Sequence, residues 1–189
     1  AGFKVHVPID LKGAEQVVPA FAEFGGKVMV DLKLHDIPTT VGKRAKALAQ
    51  MGTTIMTVHA SGGAEMMRHA VEGAGGDVRM TAITVLTSLN EEDCQYVYGA
   101  SVKATVLRLA RLAQLSGVDG IVCSPKELGF LKQYREIAEL SRVVPVIRLE
   151  GESHGGLLVF QALQVLSSAF SYHENYAFTF FGLVGFNHG

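Results

Sequence analysis

The sequence has few of the features that mark secreted, membrane-bound or nucleic-acid-binding proteins. It has two cysteines, Cys94 and Cys123, which give neither a disulfide framework nor zinc-ligand spacing and indicate a reducing, cytoplasmic location. Its 17 Lys and Arg residues are balanced in number by 18 Asp and Glu residues, so no excess of positive charge attracts nucleic acid. No signal peptide is recognisable, and no apolar run has the length of a membrane span. We therefore expect neither a nucleic acid nor a membrane as partner.

The rest of the composition is that of one globular domain. Of the 189 residues, 48% are hydrophobic and 19% are charged, which supplies a sizeable core and excludes a disordered chain. Cys123 lies in an apolar segment, and we expect it to be an unreactive core residue. Because the net charge is only −1, an anionic substrate would need a local cluster of Lys and Arg.

Strand-like and helix-like segments alternate along the chain with short connections. Continuous apolar runs predict buried strands, and apolar residues at helical spacing predict helices. Repeated β–α units of this kind predict a parallel sheet, either closed as a barrel or open and doubly wound. Strands are predicted over 3–7, 27–32, 54–59, 80–86, 119–123 and 143–147, and helices over 14–24, 41–51, 64–72, 102–115 and 126–140.

The chain is short for a complete eight-stranded barrel, which typically takes about 250 residues. Six strands are recognisable before residue 148. After it the sequence becomes rich in glycine and aromatic residues. A helix over 157–166 and a strand over 177–184 are predicted in this segment. We expect one barrel domain over 1–189, with β/α units over 1–148 and a divergent C-terminal segment over 149–189.

The most informative segment is VDLKLHDIP, residues 30–38. Residues i and i+2 of a strand point to the same face, so Asp31 and Lys33 are predicted to form an ion pair. Asp36 follows the strand and is placed to turn back toward the same charges, while Thr39-Thr40 is predicted to cap the next helix. A carboxylate–ammonium–carboxylate array at the carboxyl end of a parallel strand suits proton transfer where negative charge develops.

The alternative for this segment is an ordinary surface pair. Most Asp–Lys pairs at strand ends are solvated and contribute little to stability. The apolar run Val28-Met29-Val30 before Asp31 is typical of a buried parallel strand and therefore favours a functional site.

The Asp31-x-Lys33-x-x-Asp36 array, with His35, Ile37 and Pro38 around it, resembles the signature of the orotidine 5′-monophosphate decarboxylase family. Five further segments resemble motifs of the same family, in the same order. These are Phe3-Lys4-Val5, Thr57 to Gly63, Ala82 to Ser88, Asp119 to Ser124, and Pro145 to Arg148.

The resemblance implies a TIM (β/α)8 barrel that works as a homodimer, although the first and last β/α units are not recognisable here. It implies decarboxylation of orotidine 5′-monophosphate to uridine 5′-monophosphate in de novo pyrimidine biosynthesis, with no metal or organic cofactor. Without a cofactor as electron sink, a fixed cation has to stabilise the carbanion, which fits a lysine at this position.

The same resemblance implies a role for each site residue. Lys33 would be the general acid that protonates the pyrimidine carbon, and Asp31 would lie against the departing carboxylate and keep Lys33 charged. Asp36 and Thr40 would reach the ribose bound in the partner subunit. The implied substrate contacts are Lys4 at the ribose, Thr87 or Ser88 at the base edge, and Arg148 at the phosphate. His59 is either a further substrate-binding residue or a core histidine.

The sequence departs from the family pattern at both ends, and two other functions therefore stay open. The chain begins at what resembles the family's second strand, and the usual Gly-Arg pair of the eighth strand is not found. One alternative is a sugar-phosphate decarboxylase or aldolase of the same superfamily, often with magnesium. The other is a catalytically impaired nucleotide-binding or dimerisation remnant.

Overall fold

The computed structural model describes residues 2–144 and, beyond them, the backbone of two short strands. Strands and helices alternate as the sequence predicted. The strands are β1 (Gly2–Val5), β2 (Lys27–Leu34), β3 (Ile55–His59), β4 (Arg79–Ile83), β5 (Gly120–Val122), β6 (Ser141–Val143), β7 (Val159–Phe160) and β8 (Phe180–Phe181). The helices are α1 (Val7–Lys12), α2 (Ala14–Glu23), α3 (Pro38–Gln50), α4 (Gly63–Ala74), α5 (Glu91–Tyr98), α6 (Val102–Leu115) and α7 (Leu128–Leu131). Three 3-10 turns cover Ala60–Gly62, Pro125–Glu127 and Arg135–Ile137.

The strands form one sheet with a sequential order. From β1 to β6 each strand pairs in parallel with the next. On the other side of β1, β8 pairs in parallel and β7 pairs antiparallel to β8. A doubly wound sheet reverses its strand order at a switch point, whereas a barrel adds each new strand to the same edge. Because the order does not reverse between β1 and β6, the sheet is wound as part of a barrel wall.

One large apolar core packs the described strands against the helices, and a second, small cluster contains Met29 and Ile55. Val30, Met56, Met80 and Ile121, from four neighbouring strands, are each at most 1% exposed and belong to the same cluster as residues of α3, α4 and α6. Burying an aliphatic side chain of this size contributes about 1.5–3 kcal/mol. The continuous apolar runs in the sequence therefore correspond to buried parallel strands, as predicted.

Cys123 is a buried core residue, as the sequence predicted. Burial, and then the negative charge of Glu127, raise the pKa of its thiol to about 12. The thiol therefore stays protonated at neutral pH and is a poor nucleophile.

Two predictions near helix starts were wrong. The first strand ends at Val5 rather than at residue 7, because Pro8 stands in the first turn of α1, where its fixed φ favours a helix. Helix α3 starts at Pro38, with Ile37 as its N-cap residue and no side-chain cap. Thr39-Thr40 thus lies inside the helix and does not cap it.

Predictions toward the C-terminus were less accurate. The helix predicted over 126–140 is replaced by α7 and two 3-10 turns, since Gly129 weakens a helix interior. Strand β6 begins two residues earlier than predicted, and residues 145–150 lie outside the described part of the chain. Strand β7 falls within the helix predicted over 157–166, whereas β8 falls within the strand predicted over 177–184.

Helices α3 and α4 approach each other through glycines, which gives a first test of the packing. A Cβ added to Gly73 would overlap the carbonyl oxygen of Gly42, while one added to Gly76 would meet open space. Because backbone cannot yield as a side chain does, we expect Gly73→Ala to lower the free energy of unfolding by about 1–3 kcal/mol. Urea denaturation measures this, with Gly76→Ala as the matched control. Equal stability of the two variants would show that the helices are not held at this distance.

Candidate active site

A charged cluster lies toward the carboxyl ends of β1, β2 and β3. Lys4 lies one residue before the end of β1, Asp31 and Lys33 lie in the second half of β2, and His59 is the last residue of β3. In parallel β/α proteins this edge of the sheet carries the active site, because loops from several strands meet there. The cluster is therefore at the position expected of a catalytic centre.

At its centre, one carboxylate holds two ammonium groups. Oδ2 of Asp31 lies 2.9 Å from Nζ of Lys4 and 3.0 Å from Nζ of Lys33. Oδ1 of Asp31 accepts a hydrogen bond of 3.0 Å from the Thr57 hydroxyl. The predicted Asp31–Lys33 ion pair is confirmed, but the charge arrangement differs from the predicted one. An ammonium between two carboxylates was expected, and a carboxylate between two ammoniums is found.

Asp36 does not take part in this cluster within a single chain. Its side chain is exposed, and Oδ1 accepts a hydrogen bond of 2.7 Å from the backbone N–H of Ile37. Asp36 thus fixes the chain just before α3 rather than turning back toward Lys33. Thr40 lies half-buried in the first turn of that helix.

The backbone of β2 is distorted where it carries the charges. Val30 is paired with Met56 and Leu34 with Val58, so β2 has two more residues than β3 between these pairs. Lys33 has a φ of 48°, and it is the only non-glycine residue with positive φ in the described part of the chain. Such a conformation costs about 1–3 kcal/mol and persists only where surrounding contacts enforce it. Strain of this kind is concentrated at functional sites, which supports a functional role for Lys33.

The charge state of Asp31 follows from its surroundings. Burial alone would raise the pKa of Asp31, but attraction and hydrogen bonding to Lys4, and then to Lys33, outweigh burial and hold the pKa below its usual value. Asp31 is therefore ionised at neutral pH. The Lys33 side chain keeps 30% of its surface exposed, against 11% for Asp31, so the ammonium remains open to an incoming molecule.

His59 lies beside this cluster in an unusual environment. Its ring centroid is 5.0 Å from that of His35, and its Nδ1 is buried with no hydrogen-bond partner among the described residues. Burial, followed by repulsion from His35 and Lys33, lowers the pKa of His59 despite attraction to Asp31. The lowered pKa favours the neutral imidazole, in which one ring nitrogen is a donor and the other an acceptor.

The remaining predicted site residues are less closely connected. Thr87 and Ser88 are exposed in the turn that follows β4, at the same edge of the sheet as Lys33. No hydrogen bond joins either of them to the Asp31 cluster within residues 2–144. Arg148 lies outside the described residues, so its predicted phosphate contact stays a prediction.

Thr57 is a site residue that the sequence did not single out. It is fully buried, donates to Asp31, and accepts a hydrogen bond of 2.9 Å from the backbone N–H of Lys33. A signal was present, since Thr57 stands two residues before His59 in a strand and so shares its face. A threonine at a buried strand position is nevertheless too common to be assigned to a site without its contacts.

The fold and the site together define a class of protein. This is a β/α enzyme of barrel type, with a lysine and an aspartate in contact at the carboxyl edge of its parallel sheet. A strained lysine and an ionised, partly buried carboxylate are suited to proton transfer.

Comparison with known proteins places the chain within this class. The family model described as Orotidine 5′-phosphate decarboxylase / HUMPS family matches residues 1–167. Orotidine 5′-phosphate decarboxylase of Anaeromyxobacter dehalogenans is 45% identical over 154 residues, covering 80% of this chain and 67% of that protein. The enzyme of the same name from Alcanivorax borkumensis is 42% identical over 156 residues, with the same coverage. The chain belongs to the Orotidine 5′-phosphate decarboxylase / HUMPS family.

A solved structure supports the same assignment. The crystal structure of orotidine 5′-phosphate decarboxylase from Lactobacillus acidophilus superposes with a TM-score of 0.69 at 36% identity, covering 77% of this chain and 68% of that chain. The resemblance seen in the sequence motifs is thereby confirmed. Separately, no helix in the described part of the chain is both long and apolar enough to cross a bilayer.

Proposed function

We propose that this chain converts orotidine 5′-monophosphate to uridine 5′-monophosphate and carbon dioxide in pyrimidine biosynthesis, with Lys33 as the proton donor. The observation that carries the proposal is the contact of 3.0 Å between Lys33 Nζ and the ionised Asp31, in a chain whose relatives bear the name of this enzyme. The chain acts as a carboxy-lyase.

The chemistry can be written with the residues present. The bond between the pyrimidine ring and the carboxylate breaks, carbon dioxide leaves, and the electron pair stays on the ring carbon. Lys33 gives a proton from Nζ to that carbon, becomes a neutral amine, and regains its proton from solvent. The positive charge of Lys33 stabilises the carbanion as it forms, and such preorganised electrostatic stabilisation is usually the largest single contribution to catalysis.

Asp31 holds the proton donor in position. A carboxylate within hydrogen-bond distance attracts an ammonium and fixes its direction. Lys4 shares the same Asp31 oxygen, so it is anchored beside Lys33, within reach of the ribose of the substrate. In this arrangement Asp31 organises two cations at once.

The other assigned residues surround the substrate in this proposal. Thr87 or Ser88 binds the base edge, and His59 contacts the nucleotide from beside the Asp31 cluster. Arg148 is assigned to the phosphate. The sheet of β1 to β6 is part of a TIM barrel, and the chain forms a homodimer.

The dimer gives Asp36 and Thr40 their roles. Asp36 lies exposed next to Ile37, an aliphatic side chain that is 63% exposed. In the proposed dimer both are covered by the second subunit, and Asp36 and Thr40 reach the ribose bound there. The absence of an ion pair between Asp36 and Lys33 within one chain agrees with this arrangement.

The decisive experiment is turnover of orotidine 5′-monophosphate by the chain. It is monitored by the change in ultraviolet absorbance as the carboxylate is lost, and by release of carbon dioxide. We expect turnover with and without a chelator, and none with hexulose phosphates. Binding of uridine 5′-monophosphate is measured in parallel by calorimetry.

Two results would contradict the proposal. Chelator-sensitive turnover of a sugar phosphate would identify the magnesium-dependent alternative. Binding of uridine 5′-monophosphate with no turnover of orotidine 5′-monophosphate would identify a nucleotide-binding remnant.

A further inference from the structure

We propose that Thr57 is a positioning residue for the reaction, whose hydroxyl fixes the Asp31 carboxylate and the Lys33 backbone together. The inference rests on the proposed function, because it concerns how the proton donor of that reaction is held in place. Thr57 does not touch the ammonium group itself and acts through its two neighbours.

The hydroxyl of Thr57 uses both of its hydrogen-bonding capacities on the site. A hydroxyl has one proton to donate and lone pairs to accept. The proton goes to Oδ1 of Asp31 at 3.0 Å, and a lone pair accepts the N–H of Lys33 at 2.9 Å. Because Thr57 is fully buried, water does not compete for either bond.

The bond to Lys33 replaces a missing sheet contact. The two extra residues in β2 between the pairs at Val30 and Leu34 interrupt the regular ladder opposite Thr57. Within that interruption, the N–H of Lys33 is bonded to a side chain rather than to the backbone of β3. A single hydroxyl therefore supports the left-handed conformation of Lys33, with its φ of 48°.

The bond to Asp31 fixes the rotation of its carboxylate. Oδ1 is bonded to the Thr57 hydroxyl, and Oδ2 lies within 3.0 Å of both ammonium nitrogens. Loss of the hydroxyl would free the carboxylate to rotate and Lys33 to change its backbone conformation. Proton transfer tolerates little displacement of the donor, and misplacement by about 1 Å can lower a rate about 100-fold.

The test compares Thr57→Val, which keeps the shape and removes the hydroxyl, with Thr57→Ser, which keeps the hydroxyl. We expect Thr57→Val to lower kcat about 10- to 100-fold, with KM changed less than about threefold. Thr57→Ser should recover most of that loss. Hydrogen exchange of the Lys33 amide should become at least about tenfold faster in Thr57→Val than in the wild-type chain.

The matched control is Thr53→Val, two residues before the start of β3. Thr53 is also buried, and its hydroxyl donates to the backbone carbonyl of Leu48 at 2.8 Å, away from the charged cluster. We expect Thr53→Val to lower Tm about as much as Thr57→Val does and to leave kcat unchanged. That result would separate positioning by Thr57 from general destabilisation. If Thr57→Val does not fold, Thr57→Ala is compared with Thr57→Ser in the same assays.

The outcomes also separate this inference from the proposed function. A wild-type chain without decarboxylase activity would defeat the proposed function. An active wild-type chain whose Thr57→Val or Thr57→Ala variant keeps the full kcat, or whose Thr57→Ser variant is as impaired as they are, would overturn the role of Thr57 alone.

Discussion

Replacing Lys33 with alanine should lower kcat for orotidine 5′-monophosphate by about 10⁴-fold or more. The substitution removes both the proton donor, for which the typical contribution is about 10²–10⁴-fold, and the cation beside the carbanion. Steady-state kinetics measures the effect, with carbon dioxide release as a second readout. Binding of uridine 5′-monophosphate should change far less, because the Lys33 ammonium acts mainly where charge develops in the transition state.

The loss of activity should not come from unfolding. In Lys33→Ala, Asp31 keeps its bonds to Lys4 and Thr57, and the Lys33 side chain is 30% exposed, so the lost ion pair contributes about 1 kcal/mol or less. Lys46→Ala, at an exposed position on α3, is the control for removing a lysine. A Lys33→Ala variant that retains the wild-type rate would eliminate the mechanism.

Replacing Asp31 with asparagine should be the second most damaging change. The variant leaves Lys4 and Lys33 facing an uncharged amide, so their mutual repulsion is no longer screened by a carboxylate. We expect kcat to fall about 10²–10⁴-fold, because the Lys33 ammonium loses the charged partner that fixes its position. Steady-state kinetics measures the effect, with Asp77→Asn, at an exposed carboxylate just before β4, as the control.

The effect of Asp31→Asn on stability should depend on pH in a defined direction. The pKa of Asp31 is lowered in the folded chain. The ionised carboxylate therefore contributes fully to the free energy of unfolding above pH 3.8, the pKa of the unfolded chain. This contribution is lost as the pH falls below 3.8 through the lower folded pKa. We expect Asp31→Asn to be less stable than the wild-type chain by about 1–3 kcal/mol at pH 7 in urea denaturation.

That difference in the free energy of unfolding should narrow at acid pH. There the wild-type carboxylate becomes protonated and is then uncharged, like the asparagine amide. An unchanged difference in stability between pH 7 and a pH below 3.8 at which both chains still fold would contradict an ionised Asp31 held by two lysines. A difference that widens on acidification would contradict the sign of the pKa shift.

The sequence determined the strands and the location of the charges. Continuous apolar runs predicted the buried strands β2 to β5, because a strand covered on both faces has to be apolar throughout. The contact between Asp31 and Lys33 was predicted from their spacing, since neighbours two apart in a strand lie on one face. These are local properties, and a sequence contains them directly.

The alignment of the strands in the folded chain determines which side chains contact Asp31 and how Lys33 is held. Lys4 and Thr57 stand 27 and 26 positions from Asp31 in the chain, so their bonds to it depend on how three strands align in the sheet. The left-handed conformation of Lys33 likewise depends on a register shift between β2 and β3, which spacing along one strand cannot reveal. Local chemistry identified the ion pair, and strand alignment turned it into one carboxylate that anchors two ammoniums.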